Sequence, residues 1–387
     1  TVSEHSSPVN PPPLRPNGTE SVATRYCSCC SQRNGLWTIR NAIADMHEHE
    51  RPDASAEEKR GNAMHIRMRR MGWTALTLLS VSLGACAQVP SPTLIPPDMV
   101  MSGGVPKDGI PALTDSEHVR ASRVRAIAGD SRVVGVELHA EARAYPLNIL
   151  VWHECINDTL GGVPIAVTYC PLCDSAFVFD RRVGGEVREF GDSGLLFQSN
   201  VLLYDRQPAE DEESLWSQVQ MRAVAGPAAA KRLRLRPIDS ALMDWRAWRD
   251  RSPETTVIST DTGYERSYGA SHYGGYFATD RLMFPVRGRT GRRPDLANKD
   301  RVVVVSVGNA RKAYPVRDLA AASRNTLVDR LGGQRIAVTL DESSGAVDAV
   351  AVDDAGNPLE DAPAIRRAYS FWFAWDAMHP QVAVYQP

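Results

Sequence analysis

Beyond the first ninety residues the chain has no apolar run long enough to cross a bilayer, which excludes a helical membrane protein built from that part. It also lacks an excess of either charge. Lys and Arg number 44 against 46 Asp and Glu, a formal net charge of −2. That balance leaves no electrostatic case for nucleic acid as a partner. Cysteine is scarce, with seven in 387 residues. Cys27, Cys29 and Cys30 crowd near the start, and only Cys155, Cys170 and Cys173 follow Cys86. So few cannot make a disulfide scaffold.

What is present begins with an export signal. Met64 to Arg70 is a short cationic stretch, Trp73 to Leu83 an uncharged and mostly apolar run, and Leu83-Gly84-Ala85-Cys86 closes it. Charge, short apolar core and small residues in that order make a secretory signal, and the core is too short to span a membrane. The closing residues resemble the lipobox of bacterial lipoproteins. That resemblance implies cleavage before Cys86, acylation of its thiol and, because Ala87 follows rather than Asp, an outer-membrane address facing the periplasm. Segment 64–85 is therefore expected to be the signal peptide. Residues 1–63 are expected to be an upstream extension, with translation starting at Met64 or Met68. A rival expectation makes Cys27-Ser28-Cys29-Cys30 and His47-Glu48-His49 a metal-binding leader. Export would place the remaining cysteines in an oxidising compartment, so a disulfide stays open.

After the anchor, 86–122 is expected to be a Pro-rich tether, since Val89 to Pro106 holds five prolines and little apolar periodicity. Folded pattern is expected from Arg123. Val133 to Leu138 alternates like a strand, Ala144-Tyr145-Pro146 opens a short helix or turn, and Val151–Asp158 and Val163–Tyr169 read as strands around Leu160-Gly161-Gly162. Phe177–Asp180 and Glu186–Phe190 flank Gly184-Gly185, a second hairpin signal. The same order returns about 170 residues later. Val302–Val307 is a strand, and Ala313-Tyr314-Pro315, Leu331-Gly332-Gly333 and Ile336-Ala337-Val338-Thr339 repeat their earlier counterparts. Val350–Asp353 echoes Phe177–Asp180. The expected fold is α+β and strand-rich, with two related units, 123–250 and 301–387, and a connecting section, 251–300, between them.

The copies differ in their chemistry. Thr168-Tyr169-Cys170-Pro171-Leu172-Cys173 aligns with Thr339-Leu340-Asp341-Glu342-Ser343-Ser344, and Trp152-His153-Glu154-Cys155 falls opposite the stretch Ala321 to Asn325. The fold therefore does not need the cysteines or the histidine. If the turn centres on Gly161-Gly162, period-two alternation puts His153 and Cys155 on one face across from Tyr169 or Cys170. Cys173 follows three residues on, with Pro171 stiffening the loop. His153, Cys155, Cys170 and Cys173 are thus expected to gather a soft metal ion, copper or zinc. The alternatives are a thiol–disulfide pair, Cys170 and Cys173, and an inert staple in a non-catalytic interaction protein. Asp174 to Phe190 reads as a hairpin, so the helix N-terminus that activates such a pair elsewhere is not expected. Covalent haem is not expected either, since no His follows Cys173. His272, in an aromatic and Gly-rich loop, and His379, after the Trp-rich run Phe371 to Met378, are distant ligand candidates, with packing roles the plainer expectation. Ser193 lacks the second Gly of a nucleophile elbow. Asp205 and Arg206 are expected to pair or form a turn.

These residues also carry a family resemblance. Trp152-His153-Glu154, Asn157-Asp158, Tyr169 to Cys173, Ser193 to Leu196, Tyr204-Asp205-Arg206, Ser214-Leu215-Trp216 and Phe371 to Trp375 resemble the family known as domain of unknown function 3179, from about Arg123 to Tyr385. The resemblance implies no particular reaction, so none is assigned. The family pattern carries an aliphatic residue at Cys155 and a glycine at Asp174. The first departure weakens Cys155 as a general ligand and leaves His153, Cys170 and Cys173 as the core set.

Overall fold

The structure is a computed structural model that describes residues 89–124, 127–269 and 273–387. All of them fall in the second of the two units into which the chain divides, Arg60–Pro387.

The first elements are short: β1 (Val100–Ser102), β2 (Leu113–Thr114) and β3 (His118–Arg120). They correct the expected tether. Leu94 N donates to Val224 O at 2.7 Å and Ile95 is buried. A free Pro-rich segment would leave these backbone groups to water; here the chain folds back and pairs them.

A regular run follows: β4 (Arg132–Leu138), β5 (Glu141–Pro146), α1 (Leu147–His153), β6 (Cys155–Leu160), β7 (Val163–Cys170) and β8 (Ser175–Asp180). The central strands are rich in Val and Ile and buried on both faces, which is why they read as near-continuous apolar runs. An insertion comes next: the small hairpin β9 (Arg182–Val183) and β10 (Glu186–Val187), then β11 (Phe190–Phe197), β12 (Asn200–Asp205), β13 (Leu215–Ser217), β14 (Arg222–Ala225), α2 (Pro227–Ala230) and β15 (Arg236–Ile238). The run resumes with β16 (Ala241–Asp244), α3 (Trp245–Arg251) and β17 (Thr256–Ile258). After α4 (Gly274–Phe277) come β18 (Arg301–Val307), β19 (Ala310–Pro315), α5 (Val316–Ala321), β20 (Thr326–Leu331), β21 (Gln334–Asp341), β22 (Ala346–Ala351), β23 (Ile365–Phe371), α6 (Trp372–Met378) and β24 (Ala383–Val384). Among the described residues no helix is long and apolar enough to cross a membrane.

The architecture is α+β and strand-rich. The order β18-β19-α5-β20-β21-β22-β23-α6-β24 matches β4-β5-α1-β6-β7-β8-β16-α3-β17 element for element. Pairing agrees too: β16 joins β4 antiparallel and β17 joins β5 parallel, as β23 joins β18 and β24 joins β19. Strand β17 therefore completes the β4–β5 sheet, although residues from 251 on were expected in a connecting section. Strand β22 matches β8 from its first residue, so the counterpart of Phe177 is Asp348, two residues before the expected Val350. The two hairpin systems also cross over. Strand β8 pairs with β23, and Asp244 N at the end of β16 donates to Ser344 O at 3.0 Å.

Two staples recur. Asp158 accepts from Arg143 and Tyr145, both at 2.7 Å, and from the backbone of Thr159. Asp329 accepts from Lys312 at 2.6 Å, Tyr314 at 2.9 Å and the backbone of Arg330. Trp245 N binds Ser131 O, and Trp372 N binds Asp300 O, both at 2.8 Å. At the β6–β7 turn Gly161 has φ +54, and a Cβ there would lie 2.5 Å from Leu138 O, so only glycine fits.

Candidate functional site

Helix α1 and the loop after β7 place the residues singled out by sequence. Pro146, at φ −64, starts α1, and Glu154, at φ +51, ends it in a left-handed cap. His153 is therefore the last helical residue, and the expected strand Val151–Asp158 begins only at Cys155. The helix turns the imidazole away from the sulfurs. Its Nδ1 lies 2.7 Å from Pro111 O and its Nε2 2.7 Å from Tyr268 Oη. A backbone carbonyl can only accept, so Nδ1 carries the proton and Nε2 accepts from Tyr268. Both ring nitrogens are engaged. Burial, outweighing the Pro111 hydrogen bond, holds the imidazole below its ordinary pKa, and so neutral.

Pro171, Leu172 and Cys173 form one 3₁₀ turn between β7 and β8, closed by Asp174 at φ +41. The Asp174 carboxylate lies below its usual range even though burial opposes this, because Arg132 and Arg301 flank it and Tyr169 donates to it. This clamp fixes the turn. It brings Cys170 beside Cys173, and the Cys173 thiol lies 3.0 Å from Ser199 O. Both residues are buried, with exposures of 1% and 0%, and all three cysteines of the described residues are free. Burial pushes the Cys170 thiol well above its ordinary pKa, and the Cys173 thiol beside it pushes the same way. Cys155 shares this face, paired across from Thr168, but its thiol points to Phe190 O at 3.7 Å. Burial pushes it up to about 12. The expected set is thus split: Cys170 and Cys173 adjoin, Cys155 packs apart on the same face, and His153 is held elsewhere.

Two carboxyls join the thiols. Burial raises Glu154 well above the carboxylate range, and the fields of Cys170 and Asp192 add to this. Asp192, at a bulge in β11, is pushed up to about 7 by burial against the pull of the Gly194 amide, with Asp108 adding to the rise. Tyr273 is raised by burial and lies in the fields of Glu154, Cys170 and Asp192. Tyr276 donates to Leu172 O at 2.8 Å. On the β8 side, Thr168 donates to Gln218 at 2.6 Å, and Gln218 and Asn200 both donate to Ser175. Every one of those four side chains is buried. The cluster thus holds three acidic groups, Cys170, Glu154 and Asp192, whose shifts all favour the neutral form, with no cation among their causes. Sequence reading missed the two acids. Glu154 lies in the Trp152-His153-Glu154 motif, but only the left-handed cap shows where it faces, and Asp192 depends on a bulge that spacing does not reveal.

Among the described residues no three His, Cys, Asp or Glu side chains are placed to hold one metal ion. His379 stacks on Trp375, with ring centroids 4.0 Å apart, and its Nε2 lies 2.7 Å from Val219 O. Ser193 donates to Leu202 O at 2.5 Å. Asp205 and Arg206, expected to pair or form a turn, do neither: Asp205 ends β12 and pairs with Arg188, and Arg206 reaches Asp108 and Glu189. The hairpin order of β11 and β12 brings Arg188 back to that buried carboxylate. Cys86, His272 and the residues of the proposed leader lie outside the described residues.

No curated protein and no solved structure matches this chain. The profile of one family, a protein of unknown function designated DUF3179, matches residues 107–382, and over that span the chain belongs to this family.

Proposed function

We propose that this is an exported envelope protein, tethered through acylated Cys86, that takes up Cu(I) between the thiolates of Cys170 and Cys173. The observation that carries the reading is the pair of adjoining, free and buried thiols in a cluster of neutral acids. Thiolate favours a soft cation. Zinc asks for four ligands in a tetrahedron, more than the described residues bring together, whereas Cu(I) is content with two sulfurs in line. Uptake would proceed as Cu(I) plus two thiols giving a cuprous bis-thiolate of charge −1 and two released protons. Glu154, held protonated, and Asp192, protonated below about pH 7, would tolerate that charge and could donate hydrogen bonds to sulfur. His153 would support the site as a fixed neighbour of Glu154, with no bond to metal.

The thiol–disulfide alternative draws on the same adjacency, but a buried thiol with a raised pKa is a poor nucleophile. One experiment separates the two. Protein purified without chelator from copper-replete cells is assayed for copper and for free thiols. One copper per chain, lost in Cys170→Ser and in Cys173→Ser and retained in His153→Ala and Cys155→Ser, is the expected result. A copper-free chain with Cys170 and Cys173 oxidised together would overturn it. For the anchor, Cys86→Ser should release the protein from membranes; retention of that variant with normal processing would remove the lipid tether.

We also infer that the two matching runs descend from one duplicated unit. The shared element order, the shared pairing and the two Asp staples support this. Asp341 and Ser344 stand where Cys170 and Cys173 stand in the first run, and their side chains hydrogen-bond to each other at 2.6 Å.

A further inference from the structure

Most buried arginines here have a carboxylate: Arg143 has Asp158, Arg188 has Asp205, Arg293 has Asp318 and Arg367 has Asp239. One group does not. Pairing across β19, β18 and β23 sets Arg311 and Arg366 on either side of Ser306. Paired residues share a face, and this face is the one that carries Val304, Ala313 and Ala368 into the core. Arg222, at the start of β14, bridges backbone to backbone with Arg234. The turn before β14 lies against the end of α6, where His379 meets Val219 O and Ser217 meets Met378.

These elements converge. Arg311 lies below its ordinary pKa through burial and through Arg234, and Arg222 does so for the same two reasons. His379 is lowered to about 4, first by burial and then, against the Val219 hydrogen bond, by Arg311, Arg222 and Arg234. Among the described residues the Arg222 guanidinium reaches only the side-chain oxygen of Gln220, at 3.2 and 3.3 Å. No carboxylate among the described residues pairs with Arg222, Arg234, Arg311 or Arg366. Arg222, Arg311 and Arg366 are half-buried, and Arg234 is exposed. Guanidinium groups that repel one another in a partly desolvated place are stabilised by an anion with several oxygens. A carboxylate offers one charge and two oxygens. A phosphate group offers up to two charges and three oxygens, which suits a set of forked donors better.

We propose that Arg222, Arg234, Arg311 and Arg366 form a binding site for a phosphate group, beside the ring of His379. The Nε2 proton of His379 goes to Val219 O, so Nδ1 of the neutral ring is bare and becomes a donor only on protonation. A bound phosphate therefore raises the pKa of His379, a readout independent of affinity. The site is separate from the thiol pair and does not depend on copper.

The test is calorimetry on the full chain at fixed ionic strength with inorganic phosphate and with glycerol phosphate. Sedimentation runs beside it, with phosphatidylcholine vesicles that contain or lack phosphatidylglycerol. Saturable binding is expected, weakened at least tenfold in Arg234→Gln and in Arg311→Gln and unchanged in Arg330→Gln, which removes the same charge elsewhere. The His379 ring, followed by NMR, should titrate at higher pH when ligand is bound. Binding to the soluble phosphates identifies a free ester or ion as the source. Binding only to the phosphatidylglycerol vesicles, with the same variant pattern, identifies a lipid headgroup. No saturable binding to any of them, equal loss in Arg330→Gln, or a His379 titration that ligand leaves in place would overturn the proposal.

Discussion

Copper affinity should depend on pH with a slope that the cluster itself sets. Each Cu(I) displaces two thiol protons, and Cys170 stays protonated through neutrality because burial raises it. Below about pH 7 the affinity should therefore rise about a hundredfold per pH unit, a tenfold factor for each proton released. Asp192 changes this near neutrality. In the metal-free protein its carboxyl titrates at about 7. The anionic bis-thiolate would push that value higher, so above pH 7 binding takes up a proton at Asp192 while two leave the sulfurs. The net release falls towards one, and the slope towards about tenfold per pH unit. The assay is competition with a chromogenic Cu(I) chelator from pH 6 to 9 under reductant, for the native chain and for Asp192→Asn. The variant should keep the steeper slope throughout. A pH-independent affinity would refute bis-thiolate binding, and the same flattening in Asp192→Asn would refute the role of that carboxyl.

Other consequences concern stability. Asp192 sits at about 7 in the fold, above its ordinary 3.8, so the stability carried by its neutral form is complete below about pH 4 and lost as pH rises through 7. The loss is of order 4 kcal/mol, and denaturant titrations at pH 5 and 8 should show native minus Asp192→Asn differences of that sign. Asp158→Ala strands the buried Arg143 and should cost about 3–5 kcal/mol, whereas Asp329→Ala, whose partner Lys312 is part-exposed, should cost distinctly less; equal losses in urea unfolding would contradict this. Gly135→Ala would put a Cβ 2.2 Å from the Trp248 ring, itself tied to Thr255. A cost of about 1–3 kcal/mol is expected from thermal unfolding, and an unchanged melting temperature would show that Trp248 can move.

Much of the strand pattern was legible because alternation and glycine pairs are local signals. Gly161-Gly162 and Gly332-Gly333 mark turns that only positive φ allows, and the matching tripeptides around them gave the order of elements. The Pro-rich segment after residue 89 misled, since composition reports how a chain behaves alone and not which strand edges wait for it: Ile95 and Leu113 find cover in the insertion and on β6. His153 misled for a related reason. One extra helical residue before a left-handed Glu154 rotates the imidazole towards Pro111 and Tyr268, and period-two counting assumes that no such cap intervenes.

The sequence by itself determined the fold class, the family, the glycine turns of both runs and the closeness of Cys170 to Cys173 around a stiff proline. Each of these rests on neighbours a few residues apart or on repetition along the chain. Only the tertiary structure decided what surrounds the sulfurs and which arginines stand together. Glu154 and Tyr273 act on Cys170 from different elements, with Asp192 acting on both, and the fields of Arg222, Arg234 and Arg311 meet at His379 across the insertion and β19. Fields and desolvation act through space, and spacing along the chain carries no record of them.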